Sequence, residues 1–103
     1  MIPTSVRIFV CTERQDMRRS FDALALVVQE KLALDPQSGA LFVFASKRGQ
    51  RLKVLWFDHN GFCILYKRLH KARFELPDAS RSDRPIATID PRTLTAILRG
   101  AEK

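Results

Sequence analysis

The chain has 103 residues, and about two thirds of the surface of an unfolded chain of this length can be buried around one core. Hydrophobic residues make up 46% of it and charged residues 28%, which excludes wholesale disorder and favours a single folded domain. The 18 Lys and Arg outnumber the 11 Asp and Glu, so the net charge is +7 and the pI is about 10.1. An excess of this size favours polyanionic partners, among which nucleic acid is the first candidate.

Neither secretion nor membrane insertion is expected from the sequence. Residues 1–5 lack a basic segment with a long apolar run, and no stretch approaches the roughly 18 apolar residues of a membrane span. Cys11 and Cys63 lie in separate apolar stretches, without a CxxC motif or the spacing of a metal site. We interpret them as small buried hydrophobes and expect the protein to be cytoplasmic, where thiols stay reduced.

The first predicted elements are a strand and a long helix. The strand covers residues 6–10, a short apolar run bounded by polar residues. From about residue 18 the apolar side chains recur at helical spacing, and either Asp16 or Ser20 can cap the helix. These apolar residues are Phe21, Leu24, Ala25, Val28 and Leu32. The helix is expected to end at about Leu34, because a proline at position 36 disfavours helical backbone in the residue before it.

Three further strands are predicted over residues 41–46, 51–58 and 62–69. The breaks between them, residues 47–50 and 59–61, each contain a glycine, and the second ends in the Asn-Gly pair that is typical of tight hairpins. Three strands joined by such short breaks predict an antiparallel meander.

The C-terminal part is predicted to hold a loop and a short helix. Residues 78–85 are polar and end in a proline, which favours a surface loop. Asp90 and Pro91 then provide a capping residue and a proline in the first turn of a helix over about residues 91–100.

The predicted fold class is therefore α+β, an antiparallel β-meander with an additional N-terminal strand, one long helix packed on the sheet and a short C-terminal helix. We expect residues 1–103 to form a single domain with a compact core over about residues 4–77. The loop over residues 78–85 and the helix over about residues 91–100 complete it.

Alternation along the strands predicts two different faces of the sheet. One face is aliphatic and includes Val43 and Val54, and we expect the long helix to pack there. The other face mixes aromatic with basic side chains, an arrangement that can stack bases and neutralise phosphates. We nevertheless expect most of Phe42, Phe44 and Phe57 to be buried rather than to contact bases, either in a second core under the C-terminal helix or in a dimer interface.

The basic residues are concentrated between positions 47 and 73, where eight of them accompany Asp58 as the one acidic residue. This window therefore carries the whole net charge of the chain. Because antiparallel strands reverse direction at each hairpin, residues 47–51 and 67–73 are expected to meet at one end of the meander. We predict that the eight basic residues bind DNA: Lys47, Arg48, Arg51, Lys53, Lys67, Arg68, Lys71 and Arg73.

No catalytic site is predicted. Asp16, Asp22 and Asp58 are the plausible carboxylates for two-metal phosphoryl chemistry, but each has an ordinary position as a helix cap, in a first helical turn or in a tight turn. His59 and His70 lack the spacing of a zinc site, and no phosphate-binding glycine loop is present. We therefore expect no enzyme activity, no metal and no cofactor.

Several linked motifs at fixed spacing resemble one family. They are Asp16–Leu24, Asp35–Phe44, Arg51–Asp58, Gly61-Phe62 with Leu65–Leu69, and Arg73-Phe74. The sequence is similar, over about residues 4–77, to the second-reading-frame accessory protein, or transposition protein B, of insertion-sequence family sixty-six of bacterial transposable elements. The resemblance implies an element whose separate, larger transposase cuts and joins DNA, while this product has a supporting role. It implies no catalytic residues.

Two hypotheses follow for the function. The first is a non-catalytic accessory protein of transposition that binds DNA through the basic residues and assists the transposase. The alternative is a protein-interaction adaptor that binds the transposase without direct DNA contact. Exposed residues such as Trp56, Tyr66 and Arg68 would then form the contact, because interface hot spots are rich in these residue types.

Overall fold

The computed structural model describes residues 5–79 and 83–102. Expectations for the N-terminal segment before residue 5 and for the middle of the predicted loop, residues 80–82, fall outside the described residues. The fold is α+β, as predicted. Its elements in chain order are β1 (Ile8–Cys11), α1 (Phe21–Glu30), β2 (Leu41–Ala45), β3 (Arg51–Asp58), β4 (Gly61–Arg68), β5 (Ala72–Arg73), β6 (Ile86–Ile89), α2 (Pro91–Arg99) and β7 (Ala101–Glu102).

Five strands form one mixed sheet in the order β4-β3-β2-β1-β6. β2, β3 and β4 pair antiparallel in sequence order, but β1 is parallel to β2 and antiparallel to β6. The prediction of an antiparallel meander with one added strand is thus correct only for β2–β4. β1 and β2 can be parallel because α1 lies between them in the chain and provides the long crossover that parallel neighbours need.

The predicted long helix is shorter than expected. α1 has ten residues, begins after Ser20 and ends at Glu30, whereas the apolar spacing predicted about residues 18–34. Two carbonyls ahead of the helix, those of Met17 and Arg19, accept hydrogen bonds from the Lys53 ammonium, which holds this segment out of the helix. At the other end Ala33 has a φ of 55°, so the chain leaves the helical path before the proline is reached.

The two helices cover opposite faces of the sheet, and the predicted assignment of α1 was wrong. α1 contributes Leu24, Val27 and Val28 to a core with the aromatic face, which includes Phe42 and Phe44. Alternation along a strand shows which side chains share a face, but the handedness of the crossover decides which face a helix covers. The expected burial of Phe42 and Phe44 is confirmed, since both have 0% exposure, while Phe57 is half-buried. These two rings pack under α1, however, and not under the C-terminal helix as expected.

The aliphatic face is covered by α2. Leu94 and Ile97 of this helix join a second core, together with Phe74 from the segment after β4. The carboxylate of Asp90 accepts a hydrogen bond of 2.7 Å from the backbone N–H of Thr93, so the predicted cap of this helix is present. Within the described residues, neither helix is long and apolar enough to cross a bilayer.

Two short pairings complete the fold. β6 pairs with β1 along the whole length of both strands, and β5 pairs with β7 in a separate two-stranded sheet. None of β5, β6 and β7 was predicted, because each has only two or four residues and gains its stability from a partner distant in sequence. β4 is left at the edge of the five-stranded sheet.

Candidate nucleic-acid interface

The start of β3 and the end of β4 bring two arginines together. Arg51 pairs directly with Arg68 across the two strands, and the backbone N–H of Leu69 donates to the carbonyl of Gln50 at 2.8 Å. Side chains opposite each other in an antiparallel pair lie on one face of the sheet and within contact distance. The two guanidinium groups therefore belong to one surface.

A second link fastens the turn before β3 to the segment after β4. The backbone N–H of Phe74 donates to the carbonyl of Gly49 at 2.6 Å. The guanidinium of Arg14 donates both to the carbonyl of Ser46, at 3.0 Å, and to that of Phe74, at 3.3 Å. The turn that carries Lys47 is thus fixed beside the strand β5.

Six of the eight predicted basic residues are exposed at this end of the sheet or next to it. We call this set the basic end, and its members are Lys47, Arg48, Arg51, Arg68, Lys71 and Arg73. The pairing of Arg51 with Arg68 and the bond between Gly49 and Phe74 bring the two sequence segments together. The turn and the two strand ends therefore form one positively charged region.

Lys53 does not belong to the basic end, and here the sequence expectation is corrected. Its side chain is 7% exposed, and its ammonium donates to the carbonyls of Met17, at 2.9 Å, and Arg19, at 2.7 Å. It also lies 4.8 Å from the centre of the Tyr66 ring. A buried ammonium needs such partners because it has lost its water, so Lys53 has a structural role and is not available to a phosphate.

Lys67 lies on the other face of β4, as the alternation of side chains requires. Its ammonium donates at 2.8 Å to the carbonyl of Leu98, in the last turn of α2. A cation at this position complements the negative end of the helix dipole. Lys67 is exposed but lies on the opposite face of the sheet from the paired Arg51 and Arg68.

Two clefts open on the basic end. The larger, of about 470 Å³, lies between the segment before α1 and the turn before β3, and is lined by Gln15, Asp16, Met17, Arg18, Ser46, Lys47, Arg48, Gln50 and Arg51. The smaller, of about 330 Å³, is lined by Arg51, Tyr66 and Arg68. Arg51 lines both clefts, so they are adjacent.

Arg18 adds a cation to the larger cleft that the sequence window over residues 47–73 missed. Its guanidinium binds the carboxylate of Asp16, with a closest distance of 2.6 Å. The hydrogen bonds from Arg18 lower the pKa of Asp16 far below its ordinary value and raise that of Arg18. The pair cancels its own charge, and the net positive charge of the cleft comes from the basic end.

The three candidate carboxylates for metal chemistry do not converge. Asp16 lies at the cleft that Arg51 lines, whereas Asp58 lies at the other end of β3, about 23 Å away along the strand. Asp22 is in the first turn of α1. Among residues 5–79 and 83–102 there is no group of three His, Cys, Asp or Glu placed to hold a metal ion.

Comparison with known proteins matches the chain to one family and to two proteins of similar sequence. Residues 6–103 match a family described as IS66 Orf2 like protein. The uncharacterized protein y4hO of Sinorhizobium fredii is 41% identical over 104 residues, covering 99% of this chain and 88% of that protein. The uncharacterized protein y4jC of the same species is 36% identical over 72 residues, covering 70% of this chain and 62% of that protein. No solved structure matches.

The family match covers nearly the whole chain, well beyond residues 4–77 where the sequence motifs lie. It agrees with the family that those motifs indicated. The chain therefore belongs to the IS66 Orf2-like family of insertion-sequence proteins.

Proposed function

We propose that the protein is a non-catalytic accessory factor of transposition that binds DNA through the basic end and assists a separate transposase in the bacterial cytoplasm. One observation carries this proposal. Exposed basic side chains from two distant segments are brought together by the pairing of Arg51 with Arg68 and by the bond between Gly49 and Phe74.

This arrangement has an electrostatic cost that a polyanion would remove. Like charges directly opposite each other on paired strands destabilise a sheet, and Arg51 faces Arg68. The two ion pairs found among the described residues join Arg18 to Asp16 and Lys31 to Glu13, and neither neutralises the basic end. DNA phosphates would neutralise these cations and release counterions, which is the main source of sequence-independent DNA affinity.

Contacts of this kind position a protein on DNA but do not read the base sequence. The proposed role is therefore to hold the DNA of the element for the transposase, not to choose the site. The family supports the transposase as the partner, because its members belong to insertion sequences.

The decisive experiment is a titration of labelled duplexes, one from an element end and one unrelated, at several salt concentrations. The variant Arg48→Glu/Arg68→Glu reverses two exposed charges of the basic end. We expect weaker binding to both duplexes and a smaller salt dependence, because the slope falls by roughly 0.9 for each phosphate that the variant no longer binds.

Arg7→Glu/Arg92→Glu is a matched control with the same change in net charge. Both residues are exposed, and both lie near the opposite end of the sheet, where Ile8 pairs with Leu41 and with Ile89. This control should keep most of the affinity and the slope. If the first variant binds as tightly as the parent at every salt concentration, the basic end is not the DNA site.

The adaptor is the second candidate, and the edge strand β4 favours it. Leu65 and Tyr66 are exposed by 43% and 50%, and the outer backbone groups of β4 have no neighbouring strand in the described sheet. An edge of this kind can accept a strand from a partner. Loss of transposase capture by Leu65→Asp, in a protein that binds no DNA, would favour this alternative.

A further inference from the structure

Tyr66 is an exposed aromatic ring within the proposed DNA surface. Its neighbours on the same sheet face, Phe44 and Leu55, have 0% exposure, yet Tyr66 is 50% exposed because it lies on the edge strand. The ammonium of Lys53 lies 4.8 Å from the ring centre. The open part of the ring borders the cleft of about 330 Å³ that it shares with Arg51 and Arg68.

The two arginines are placed around the ring by the strand register. Arg68 lies two residues after Tyr66 and therefore on the same face, at a spacing of about 7 Å along the strand. Arg51 pairs with Arg68, and its guanidinium is 3.5 Å from the Tyr66 hydroxyl. An aromatic surface thus stands beside two exposed cations that have no carboxylate partner among the described residues.

The ring is held in place before any ligand arrives. The Lys53 ammonium that lies over it is itself fixed by two carbonyls, at 2.7 and 2.9 Å. Packing against a fixed group restricts the ring, so less side-chain freedom is lost when a planar ligand stacks on it.

From this geometry we propose that the cleft binds an unpaired nucleotide, whose base stacks on Tyr66 and whose phosphate contacts Arg51 and Arg68. The inference rests on the proposed DNA-binding function and adds the substrate class: single-stranded or locally opened DNA. In a duplex the base faces are covered by their neighbours and only the phosphates reach such a surface. Stacking on an aromatic ring therefore distinguishes unpaired from paired DNA.

The test compares binding of a short oligothymidylate and of a duplex to the full chain. Tyr66→Leu removes the ring but keeps an apolar side chain on the edge strand. We expect it to lose roughly 5- to 150-fold in affinity for the single strand, the range for one stacked base, with unchanged duplex affinity. Tyr66→Phe keeps the ring and should bind both ligands like the parent.

Each other outcome overturns the inference in a recognisable way. If Tyr66→Leu weakens single-strand and duplex binding equally, or changes the affinity for neither ligand, the ring does not stack on a base. The basic end can still be a DNA site in that case. If the parent binds duplex but no single strand, this inference alone fails. If the parent binds neither, the proposed function fails as well. If oligouridylate, compared in parallel, binds more tightly than oligothymidylate, the assignment of DNA as the substrate class is wrong.

A spectroscopic variant reports stacking directly. Trp56 is the one tryptophan of the chain, so Trp56→Phe/Tyr66→Trp has a single indole, placed in the cleft. A stacked base should quench its fluorescence when oligothymidylate binds, whereas the duplex should leave it nearly unchanged. Saturation with oligothymidylate without quenching would show that no base lies on this ring.

Discussion

The backbone N–H of Phe74 donates to the carbonyl of Gly49 at 2.6 Å. This bond joins the turn with Lys47 and Arg48 to the segment with Lys71 and Arg73. Phe74 is 1% exposed in the core under α2, so the segment is anchored in the hydrophobic interior. The charge distribution of the basic end thus depends on the packing of the second core.

Gly49→Ala should destabilise the protein. Gly49 has a φ of 77°, a left-handed conformation that costs a residue with a Cβ about 1–2 kcal/mol. The added Cβ would also lie 3.3 Å from a guanidinium nitrogen of Arg14, which ties the turn to Phe74. We expect a lower free energy of unfolding in a urea titration.

Gly61→Ala is the matched control. Gly61 has no positive φ, and a Cβ there would meet nothing within 4 Å, so this change should be neutral or slightly stabilising. Equal stability of the two variants would show that the conformation of Gly49 is not required for the turn.

Leu24→Ala should cost about 2–5 kcal/mol of unfolding free energy, because Leu24 is fully buried between α1 and the aromatic face. Leu26 lies on the same helix but is 50% exposed, so Leu26→Ala should change the stability by less than about 0.5 kcal/mol. Chemical denaturation of both variants measures the difference.

The face assignment has its own test. Leu24 and Leu55 lie in one core and Leu94 lies in the other. Double substitution to alanine should be non-additive for Leu24 with Leu55 and additive for Leu24 with Leu94, since coupling is expected between neighbours. The reverse pattern would indicate that α1 packs against the aliphatic face.

Local patterns in the sequence predicted the local parts of the fold. The glycine-containing breaks marked the hairpins of β2–β4, and the Asp90-Pro91 pair marked α2. The Asn-Gly pair found the second hairpin, although the left-handed residue is His59, with a φ of 48°, and Gly61 already pairs with Asp58. The sequence pattern thus predicts the position of the hairpin but not which residue adopts the left-handed conformation in the turn.

Non-local contacts decided the features that the sequence missed. β6 is stable because it pairs with β1, and α1 is short because Lys53 binds the carbonyls of Met17 and Arg19. For the candidate site, antiparallel pairing predicted that residues 47–51 and 67–73 are neighbours. Strand pairing could not show that the Lys53 ammonium is hydrogen-bonded to backbone carbonyls, because the residues that carry these carbonyls precede it by more than thirty positions.

Acid should destabilise the protein through carboxylates that are bound in the fold. The hydrogen bond from Thr93 lowers the pKa of Asp90 below its ordinary value of 3.8, and Lys31 lowers that of Glu13 below 4.5. A carboxylate with a lowered pKa in the folded state stabilises the fold above its unfolded pKa. This contribution is lost as the pH falls through the folded-state pKa.

Thermal melts between neutral pH and about pH 2 measure this dependence, since the loss extends below both pKa values. Asp90→Asn keeps an oxygen that can cap α2 but cannot titrate. Its melting temperature should therefore fall less steeply with decreasing pH than that of the parent. Asp90→Ala removes the cap and should lower the melting temperature already at neutral pH. If the melting temperature of Asp90→Asn falls as steeply in acid as that of the parent, Asp90 does not contribute to the acid sensitivity.

Substitution by methionine should affect stability at Lys53 and DNA binding at Lys47. Lys53→Met keeps an apolar side chain of similar length but leaves the carbonyls of Met17 and Arg19 without their donor. Hydrogen bonds to a charged group are worth about 1.5–3 kcal/mol, so a stability loss of this size is expected in a denaturant titration. Because this ammonium is buried, duplex affinity and its salt slope should stay the same in the folded protein.

Lys47→Met removes an exposed cation of the basic end and should change the stability by less than about 0.5 kcal/mol. Its salt slope for duplex binding should fall by roughly 0.9 if the ammonium contacts one phosphate. The two variants have the same net charge, so a difference in slope between them reports position and not total charge. An equal fall in slope for both would mean that DNA reaches the Lys53 ammonium, and the buried, structural role assigned to this residue would then be wrong.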